Sequence, residues 1–592
     1  MAARVSDDPV LLRWTKQVPV AKLRDPLGVT LRVAGRLAGQ LLFGITSLTK
    51  RARYYSFLPW CVRDYQAREK GHPHACNLEY ALRAREMALT MGCLLHHAGE
   101  ECVGGGLNGS LRGKRWYEHR GPGPADLTNR VIDRAIGFVK VPAWHIYSAS
   151  LMGLGLFNME ASDTDERVTT RAPDDLELSP LGEQLAQCYG SMVDTLPGVV
   201  AASGQARRCT HDDLCEWGRN GGICELRDPG AADRDLLRDL FFDRCNSPGK
   251  SHLFRRQTLL LILELARQLE QAGLPLNKET FADAVYCDRI VYGDQDVPIR
   301  WPSSLEEIAR RWRMFYFHYY LSVALESLFV WAVRGVREAD RAGVQVDDLV
   351  RQLDSLEVRT QLEEFLHVGL PRSFLEFSPR ETMAACFIDV AAVTPEVSQE
   401  FDQLANPSTK LAERALEAAV RDPALRDGPA GPAVALVLLA VSLMRYARWE
   451  GSAYGNWLSR AVNDQYADAA PPVLLGTLHR TFGDWWNRSW GELARFIVRR
   501  FVVQLHETVA LKKRWDGSRA VFHSDHGRLF WRGLGYDEIK VGNPRFGNAL
   551  RILQDLTLLT TPTDNTEVVT LTADGRAWLE LELAQESAHG TH

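Results

Sequence analysis

The chain has 592 residues, of which 45% are hydrophobic and 24% are charged, and its formal net charge is −5. This length exceeds what one hydrophobic core supports, so we expect about three or four domains in an ordinary folded protein. The opening residues lack the apolar run of a signal peptide, and the most apolar stretch, residues 433–444, is too short for a membrane span. Eleven Cys without regular spacing exclude a disulfide framework. We therefore expect a reduced, cytoplasmic protein that makes no contact with a membrane.

The N-terminal region is basic, with ten Lys or Arg against three Asp over residues 1–53, a net charge of +7. Such a block can neutralise phosphates, although a charge-rich helix face is often simply solvated. At its end come Arg53-Tyr54-Tyr55-Ser56-Phe57 and Pro59-Trp60. These side chains have two interpretations: they stack on exposed bases, or they form the core of the first domain, which we favour.

The same residues carry a family resemblance. Together with Asn108-Gly109-Ser110 they resemble the opening of a set of large, uncharacterised bacterial proteins encoded among anti-phage defence genes. The resemblance covers roughly the first 115 residues. It implies a genomic setting, and because that family has no assigned activity it implies no catalytic residues.

A first His/Cys cluster lies between residues 72 and 102. It consists of His72, His74, Cys76, Cys93, His96, His97, Glu100, Glu101 and Cys102. Residues four apart on a helix share one face, so such residues could build a metal-dependent hydrolase. A surface turn and a plain helix end are the alternative. The glycine-rich stretch that follows, residues 104–115, lacks the order of a nucleotide-binding P-loop, but it could present Arg112, Lys114 and Arg115 to a phosphate backbone.

Apolar residues recur at three- and four-residue spacing along most of the chain, which predicts helices. The predicted helices span residues 78–95, 258–272, 305–333, 346–365, 410–420, 433–448 and 491–512. The acidic stretch 162–179 predicts an exposed loop. The Pro- and Gly-rich stretch 421–432 cannot continue a helix, and we interpret it as a domain linker.

A second His/Cys cluster predicts the most plausible metal site. Cys209, His211, Cys215 and Cys224 fall within sixteen residues, and Gly221-Gly222 lets the chain turn between them. Thiolate and imidazole groups suit a structural Zn²⁺ ion. The spacing matches no standard zinc finger, and buried Cys that behave as small hydrophobic residues are the alternative.

The C-terminal residues 522–583 predict a winged helix. Pro544 stands at the expected first position of a helix, and Phe546, Leu550, Leu553 and Leu556 recur on one of its faces. Two Thr/Val-rich runs, residues 558–561 and 567–571, flank a turn as in a β-hairpin wing. Thr572 then caps a short final helix.

This module predicts a set of groups that contact duplex DNA. Arg545, Asn548 and Arg551 should lie opposite the apolar face, where a recognition helix reaches the major groove. Lys540, Arg514 and Arg519 should flank it on the phosphates, the last two from a basic block over residues 495–519. The competing expectation is a winged helix whose outer face binds a protein.

The sequence as a whole predicts a mainly α fold, a multidomain helical body with a C-terminal winged-helix module. The predicted domains are an N-terminal helical domain over residues 1–161, a loop-rich Cys/His-containing insertion over 162–250, helical domains over 251–420 and 433–520, and the winged helix over 521–592. The predicted function is a non-catalytic DNA-binding or adaptor subunit of a bacterial anti-phage defence system, bound to double-stranded DNA and to other protein subunits. The alternatives are a metal-dependent nuclease or hydrolase that uses one His/Cys cluster, and a transcriptional regulator.

Overall fold

The computed structural model describes most of the chain, with gaps. The described residues are 25–70, 77–100, 105–121, 123–127, 141–158, 176–203, 208–244, 250–339, 342–353, 355, 357, 360, 412–449, 453–457, 490–512, 520–532, 536, 538–539, 542–560 and 568–589. These residues are mainly helical, as the sequence predicts.

The N-terminal half contains the two helices, α3 (Leu78–His96) and α8 (His211–Gly221), at whose ends the candidate site lies. The described helices of this half are α1 (Arg36–Leu41, preceded by a π-helical Thr30–Gly35), α2 (Tyr54–Arg68), α3 (Leu78–His96), α4 (Ser110–His119), α5 (Ala143–Gly153), α6 (Pro180–Val193), α7 (Pro197–Ser203), α8 (His211–Gly221), a 3₁₀ turn (Glu225–Arg227), α9 (Arg234–Phe241) and α10 (Lys250–Ala272).

The second half contributes the longest of the described helices and the C-terminal elements. These are α11 (Lys278–Cys287), α12 (Ser303–Ala339), α13 (Val346–Leu353), α14 (Glu413–Arg421), α15 (Pro423–Arg426), α16 (Gly431–Trp449), α17 (Trp490–Ile497), a π-helical Val498–Gln504, α18 (Leu505–Lys512), α19 (Phe546–Asp555) and α20 (Ala573–His589). The predicted helices are confirmed in their described residues, apart from differences at their ends and one interruption. The helix predicted over residues 346–365 is confirmed only as α13, since that helix ends at Leu353 and Ser355 is a bend. Residues 361–365 lie outside the described part.

The strands are short and antiparallel. They are β1 (Ala125–Asp126) with β2 (Arg208–Cys209), β3 (Arg289–Tyr292) with β4 (Gln295–Pro298), and the three-stranded sheet β5 (Val344–Gln345), β7 (Arg528–Trp531) and β6 (Phe522–Asp525), in that order. His526 and Gly527 form the β6–β7 turn with positive φ angles of 47° and 77°. The sheet therefore joins the C-terminal segment to the middle of the chain through β5.

Helix α12 lies at the centre of the fold. Its middle is buried around the whole circumference and is mostly apolar, as expected for a helix that is covered on all sides. Helices α10, α11, α14 and α16 pack against it. Buried side chains from Leu27 to Leu579 form one contiguous hydrophobic cluster. Within the described residues, no helix is long and apolar enough to cross a membrane, and residues 433–444 belong to the buried α16.

The helix break predicted at residues 421–432 is confirmed, because α14 ends at Arg421 and α16 begins at Gly431. The flanking helices nevertheless pack against each other. Glu413 of α14 and Arg445 of α16 form an ion pair in which both side chains are 1% exposed. The connection therefore lies beside a shared core. The other domain boundaries stay predictions, and the loop predicted at 162–179 is described only from residue 176 onward.

The C-terminal segment contains several of the predicted local features. Phe546, Leu553 and Leu556 are buried and Leu550 packs against the core. Leu559 and Leu571 form an antiparallel bridge, and Thr560 N donates to Thr570 O at 2.8 Å. Thr572 Oγ1 accepts from Gly575 N at 2.9 Å and caps α20. A complete winged helix stays a prediction, since residues 561–567 lie outside the described part.

Two details of this prediction are wrong. Helix α19 begins at Phe546, and the residue before it, Arg545, has a left-handed φ of 61°, so Pro544 is not the first helical residue. The final helix α20 is long, from Ala573 to His589. Phe546 stacks on Phe281 of α11 with ring centroids 4.6 Å apart. The segment is thus packed onto the helical body.

Candidate metal centre

The candidate site lies where α3 and α8 end side by side. Helix α3 begins after Asn77, whose side chain accepts from Tyr80 N, and it ends at His96 with His97 as its C-cap. Helix α8 begins with a capping box formed by Thr210 and Asp213. Both ends of α8 are therefore fixed locally, by this box and by the Gly221-Gly222 turn.

Two glycines bring the helices into backbone contact. A Cβ atom added to Gly218 would lie 2.2 Å from Gly92 O, and one added to Gly92 would lie 2.4 Å from Leu214 O. Only glycine permits so close an approach. A Cβ on Gly222 would likewise lie 2.2 Å from Gly218 O, so the chain can leave α8 here only through a glycine.

Three successive carbonyl groups hold the loop after α8 in place. Tyr189 Oη donates to Gly221 O at 2.8 Å, Arg53 Nη1 to Gly222 O at 2.7 Å, and Arg51 Nη2 to Ile223 O at 3.1 Å. Arg53 is fully buried and pairs with the equally buried Asp233 at 3.2 Å. The next two residues along the chain are Cys224 and Glu225.

Four metal-ligand side chains meet at this point. His97 Nε2 lies 3.0 Å from Cys224 Sγ, the Cys224 thiol lies 3.2 Å from Glu225 Oε1, and His96 Nε2 lies 3.2 Å from the same Glu225 oxygen. Ligand atoms of His96, His97 and Glu225 all fall within 4.8 Å of one another. The ligand atoms of a tetrahedral ion with bonds of roughly 2.0–2.3 Å lie about 3.3–3.8 Å apart, so His96, His97 and Glu225 could bind one ion after small shifts of their side chains.

The electrostatics of the cluster follow from its close contacts. The hydrogen bond with Cys224 raises the pKa of His97, against the effect of partial burial, and the nearby Glu225 adds to it. Burial raises the pKa of Glu225, and the adjacent Cys224 raises it further while His96 lowers it. The side chains of His96 and Glu225 are 24% and 23% exposed. The centre is therefore reachable from solvent.

The predicted four-residue zinc site is wrong in three of its members. Cys209 is buried in β2, His211 lies edge-on to Trp116, and Cys215 is half-buried on α8. In the part of the chain that the structure describes, the only group of three or more metal-ligand atoms within 4.8 Å is that of His96, His97 and Glu225. Of the four predicted ligands, only Cys224 contacts this group, at His97 and Glu225.

The first His/Cys cluster supplies the other ligands. His96 and His97 belong to it, whereas its Cys93 is buried and Glu100 faces Lys114 at 3.7 Å. The remaining members lie outside the described residues, namely His72, His74, Cys76, Glu101 and Cys102. Sequence reasoning missed Glu225, and the only signal was its position directly after Cys224.

The predicted DNA-contacting groups have different surroundings from those expected. Arg545 Nη1 donates to Ile45 O at 2.8 Å, and Asn548 Nδ2 donates to Thr46 O at 2.6 Å. Burial lowers the pKa of Arg545. Both side chains are partly exposed, but these hydrogen bonds hold them against the loop before α2, and their contact with DNA stays a prediction. Arg551 is also partly exposed, and Arg514, Arg519 and Lys540 lie outside the described residues.

The aromatic residues near the N-terminus belong to the hydrophobic core, which is the interpretation that we favour from the sequence over stacking on bases. Tyr54, Tyr55, Phe57 and Trp60 are at most 1% exposed. Their rings pack on one another and on Tyr147, Tyr189 and Phe241. They are therefore not available to stack on bases.

Comparison with known proteins identifies no relative: no protein-family model, curated protein or solved structure matches the chain.

Proposed function

We propose that this protein is a metal-dependent hydrolase whose centre consists of His96, His97 and Glu225, with Cys224 beside two of these ligands. The observation that supports it is the meeting of these side chains at the ends of α3 and α8. Two imidazole groups with one carboxylate suit Zn²⁺ better than Mg²⁺ or Ca²⁺, which prefer oxygen ligands.

Partial exposure favours a catalytic role over a purely structural one. Structural zinc sites are closed by four protein ligands, whereas catalytic sites keep a position open to water or substrate. About a quarter of the His96 and Glu225 side chains is exposed. A bound Zn²⁺ ion lowers the pKa of a coordinated water molecule to about 7 and so supplies a nucleophile at neutral pH.

The protein's own residues would orient the ligands. The Cys224 thiol beside His97 fixes the direction of that imidazole, and Arg51 and Arg53 hold the loop that carries Cys224 and Glu225. Partners of this kind, which set the orientation of metal ligands, strongly affect metal affinity.

The test is a zinc titration of purified full-length protein, followed by mass spectrometry of the bound metal. We expect one Zn²⁺ per chain in the natural protein and loss of at least tenfold in affinity in His97→Ala. The matched control is His211→Ala, which removes the ligand that the sequence predicted. Equal zinc affinity in all three proteins, or a greater loss in His211→Ala, would overturn the proposal.

Substitution by Co²⁺ tests whether Cys224 stays outside the coordination sphere. The natural protein should show no cobalt–thiolate charge-transfer band in the near ultraviolet. A band that disappears in Cys224→Ser and persists in Cys215→Ser would make Cys224 a fourth protein ligand, which closes the site and contradicts a catalytic role.

The second candidate function is the DNA-binding or adaptor role in anti-phage defence that the sequence predicts. The feature that favours it is the order of α19, the Leu559–Leu571 bridge and α20, which a winged helix shares. Arg551, like Arg545 and Asn548, has a partly exposed side chain. Arg551→Glu should weaken duplex binding at low salt if this role holds, and unchanged binding would leave only the adaptor form of the proposal.

A further inference from the structure

Helix α4 lies directly beside the candidate metal centre. Glu100 N donates to His97 O at 3.0 Å, and the Glu100 carboxylate lies 3.7 Å from Lys114 of α4. Between them, Gly99 has a φ of +90°, and a Cβ there would lie 2.5 Å from the ring of Tyr117. The turn that follows His97 is therefore packed against one face of α4.

The outer face of α4 is basic. From residue 110 to residue 121 there are four Lys or Arg and one acidic residue, Glu118. The basic residues are Arg112, Lys114, Arg115 and Arg120, and all four are exposed. Leu111, on the same face as Arg115, is 85% exposed. A row of exposed cations of this kind can follow a nucleic-acid backbone.

The charges of Lys114, Arg115 and Arg120 are only weakly neutralised by the protein itself. The contact of Lys114 with Glu100 is long, and the two side chains are 50% and 80% exposed, so it contributes little. Arg120 stacks on the Tyr117 ring at 3.9 Å, which keeps its charge on the surface. No ion-pair or hydrogen-bond partner of the Arg115 side chain occurs among the described residues. The helix thus has a net positive charge next to the metal centre.

We infer that α4 binds the phosphate backbone of a single-stranded nucleic acid and delivers it to the metal centre. This inference rests on the proposed hydrolase function and specifies its substrate class. The recessed position of the ligand atoms, with His96 and Glu225 three-quarters buried, favours a flexible single strand over a rigid duplex. Hydrolysis then adds one water: its oxygen bonds to phosphorus, the P–O bond to the leaving sugar oxygen breaks, and that oxygen takes a proton.

Strand binding is tested with a fluorescein-labelled 20-nucleotide DNA single strand and with its duplex. Fluorescence anisotropy of full-length protein at low salt measures both affinities. The double variant Lys114→Glu/Arg115→Glu should bind the strand at least tenfold more weakly. In a plot of the logarithm of the binding constant against the logarithm of the salt concentration, the slope for this variant should be smaller in magnitude by about one to two. Each lost phosphate contact removes roughly 0.7 from that slope.

The matched control is Lys278→Glu/Arg300→Glu, which makes the same charge change at two exposed positions elsewhere. It should bind the strand within about twofold of the natural protein. Equal weakening in both double variants, or none in either, would overturn the inference. Tighter binding of the duplex than of the strand would also overturn it.

The zinc titration separates this inference from the proposed function. Lys114→Glu/Arg115→Glu should keep the zinc affinity of the natural protein, whereas His97→Ala should lose zinc and still bind the strand. With zinc bound, the natural protein should cleave the labelled strand and His97→Ala should not. If the strand binds through α4 but is not cleaved, the proposed hydrolase function is contradicted. The inference that α4 binds a single strand would still hold.

Discussion

Arg51 and Asp555 form an ion pair in which both side chains are 1% exposed, with Arg51 Nε 2.9 Å from Asp555 Oδ2. Asp555 closes α19 near the C-terminus, and Arg51 directly precedes α2. The same aspartate accepts from Ala52 N at 3.0 Å and from Arg227 Nη2 at 3.4 Å. One carboxylate therefore links the C-terminal helix to the loop that holds Cys224 and Glu225.

Neutralising this carboxylate should destabilise both the fold and the metal centre. Asp555→Asn removes the charge that pairs with the buried Arg51, and loss of one partner of a buried pair costs about 3–5 kcal/mol. Urea unfolding measures this loss, and the zinc titration should show weaker binding. The control is Asp574→Asn, whose side chain is 61% exposed and pairs with Arg238. It should cost about 1 kcal/mol or less, and equal losses in both variants would contradict the role of the buried pair.

A second prediction concerns the glycine contact between α3 and α8. In Gly218→Ala the new methyl group would lie 2.2 Å from Gly92 O, a backbone atom that cannot move aside without parting the helices. We expect a loss of about 1–3 kcal/mol in the free energy of unfolding and weaker zinc binding, since His97 and Glu225 sit on opposite sides of this contact. Thermal and urea unfolding check the first effect.

Gly547→Ala is the control for this prediction. Gly547 lies in α19, and nothing is within 4 Å of a Cβ placed there. Alanine in a helix is favoured over glycine by up to about 1 kcal/mol, so this variant should be as stable as the natural protein or slightly more stable. A Gly218→Ala protein with unchanged stability would mean that the helices do not touch at this point.

The sequence predicts the helices well because their signal is local. Apolar residues at three- and four-residue spacing determine which face of a segment is buried, and α3, α12 and α16 follow that pattern within a few residues. The candidate site is predictable from the sequence only in part. The residue types of His96, His97 and Cys224 identify them as metal-ligand candidates, but their positions in the sequence place them in two separate clusters.

What joins those clusters is a contact between residues far apart in the sequence. The Gly92–Gly218 approach brings the end of α8 to the end of α3, and no local pattern encodes which two glycines will meet. The same limit applies to Arg545 and Asn548. Helical spacing identifies the polar side of α19, but it does not show that these two side chains donate hydrogen bonds to the loop before α2.

A third prediction uses the buried carboxyl of Glu86 on α3. Burial raises its pKa to about 7, although Ala143 N and the Asn108 amide donate hydrogen bonds to it. Because the folded pKa lies above the unfolded one, the stabilising contribution of this group is complete below about pH 4.5. It is lost as the pH rises through 7.

Glu86→Gln keeps a neutral side chain at every pH and isolates this effect. Relative to the variant, the natural protein should lose on the order of 3 kcal/mol of stability between about pH 4.5 and 8. Urea unfolding of both proteins across this range measures the difference. Exchange of the exposed Glu118 for Gln serves as the control and should give no comparable trend. A constant difference between natural protein and Glu86→Gln would contradict the raised pKa.

The last prediction separates a structural role of Arg545 from a DNA-binding one. Its guanidinium donates to Ile45 O at 2.8 Å and lies against Gly39, 3.4 Å from the position of an added Cβ. Arg545→Ala removes a hydrogen bond from a charged donor in a partly buried site, so we expect a loss of about 1.5–3 kcal/mol in unfolding free energy. Arg551→Ala, on the partly exposed side of the same helix, should change stability by less than about 0.5 kcal/mol. If Arg545→Ala instead leaves stability intact and weakens binding of duplex DNA, then Arg545 contacts the nucleic acid. Its hydrogen bond with the loop before α2 would then contribute nothing measurable to stability.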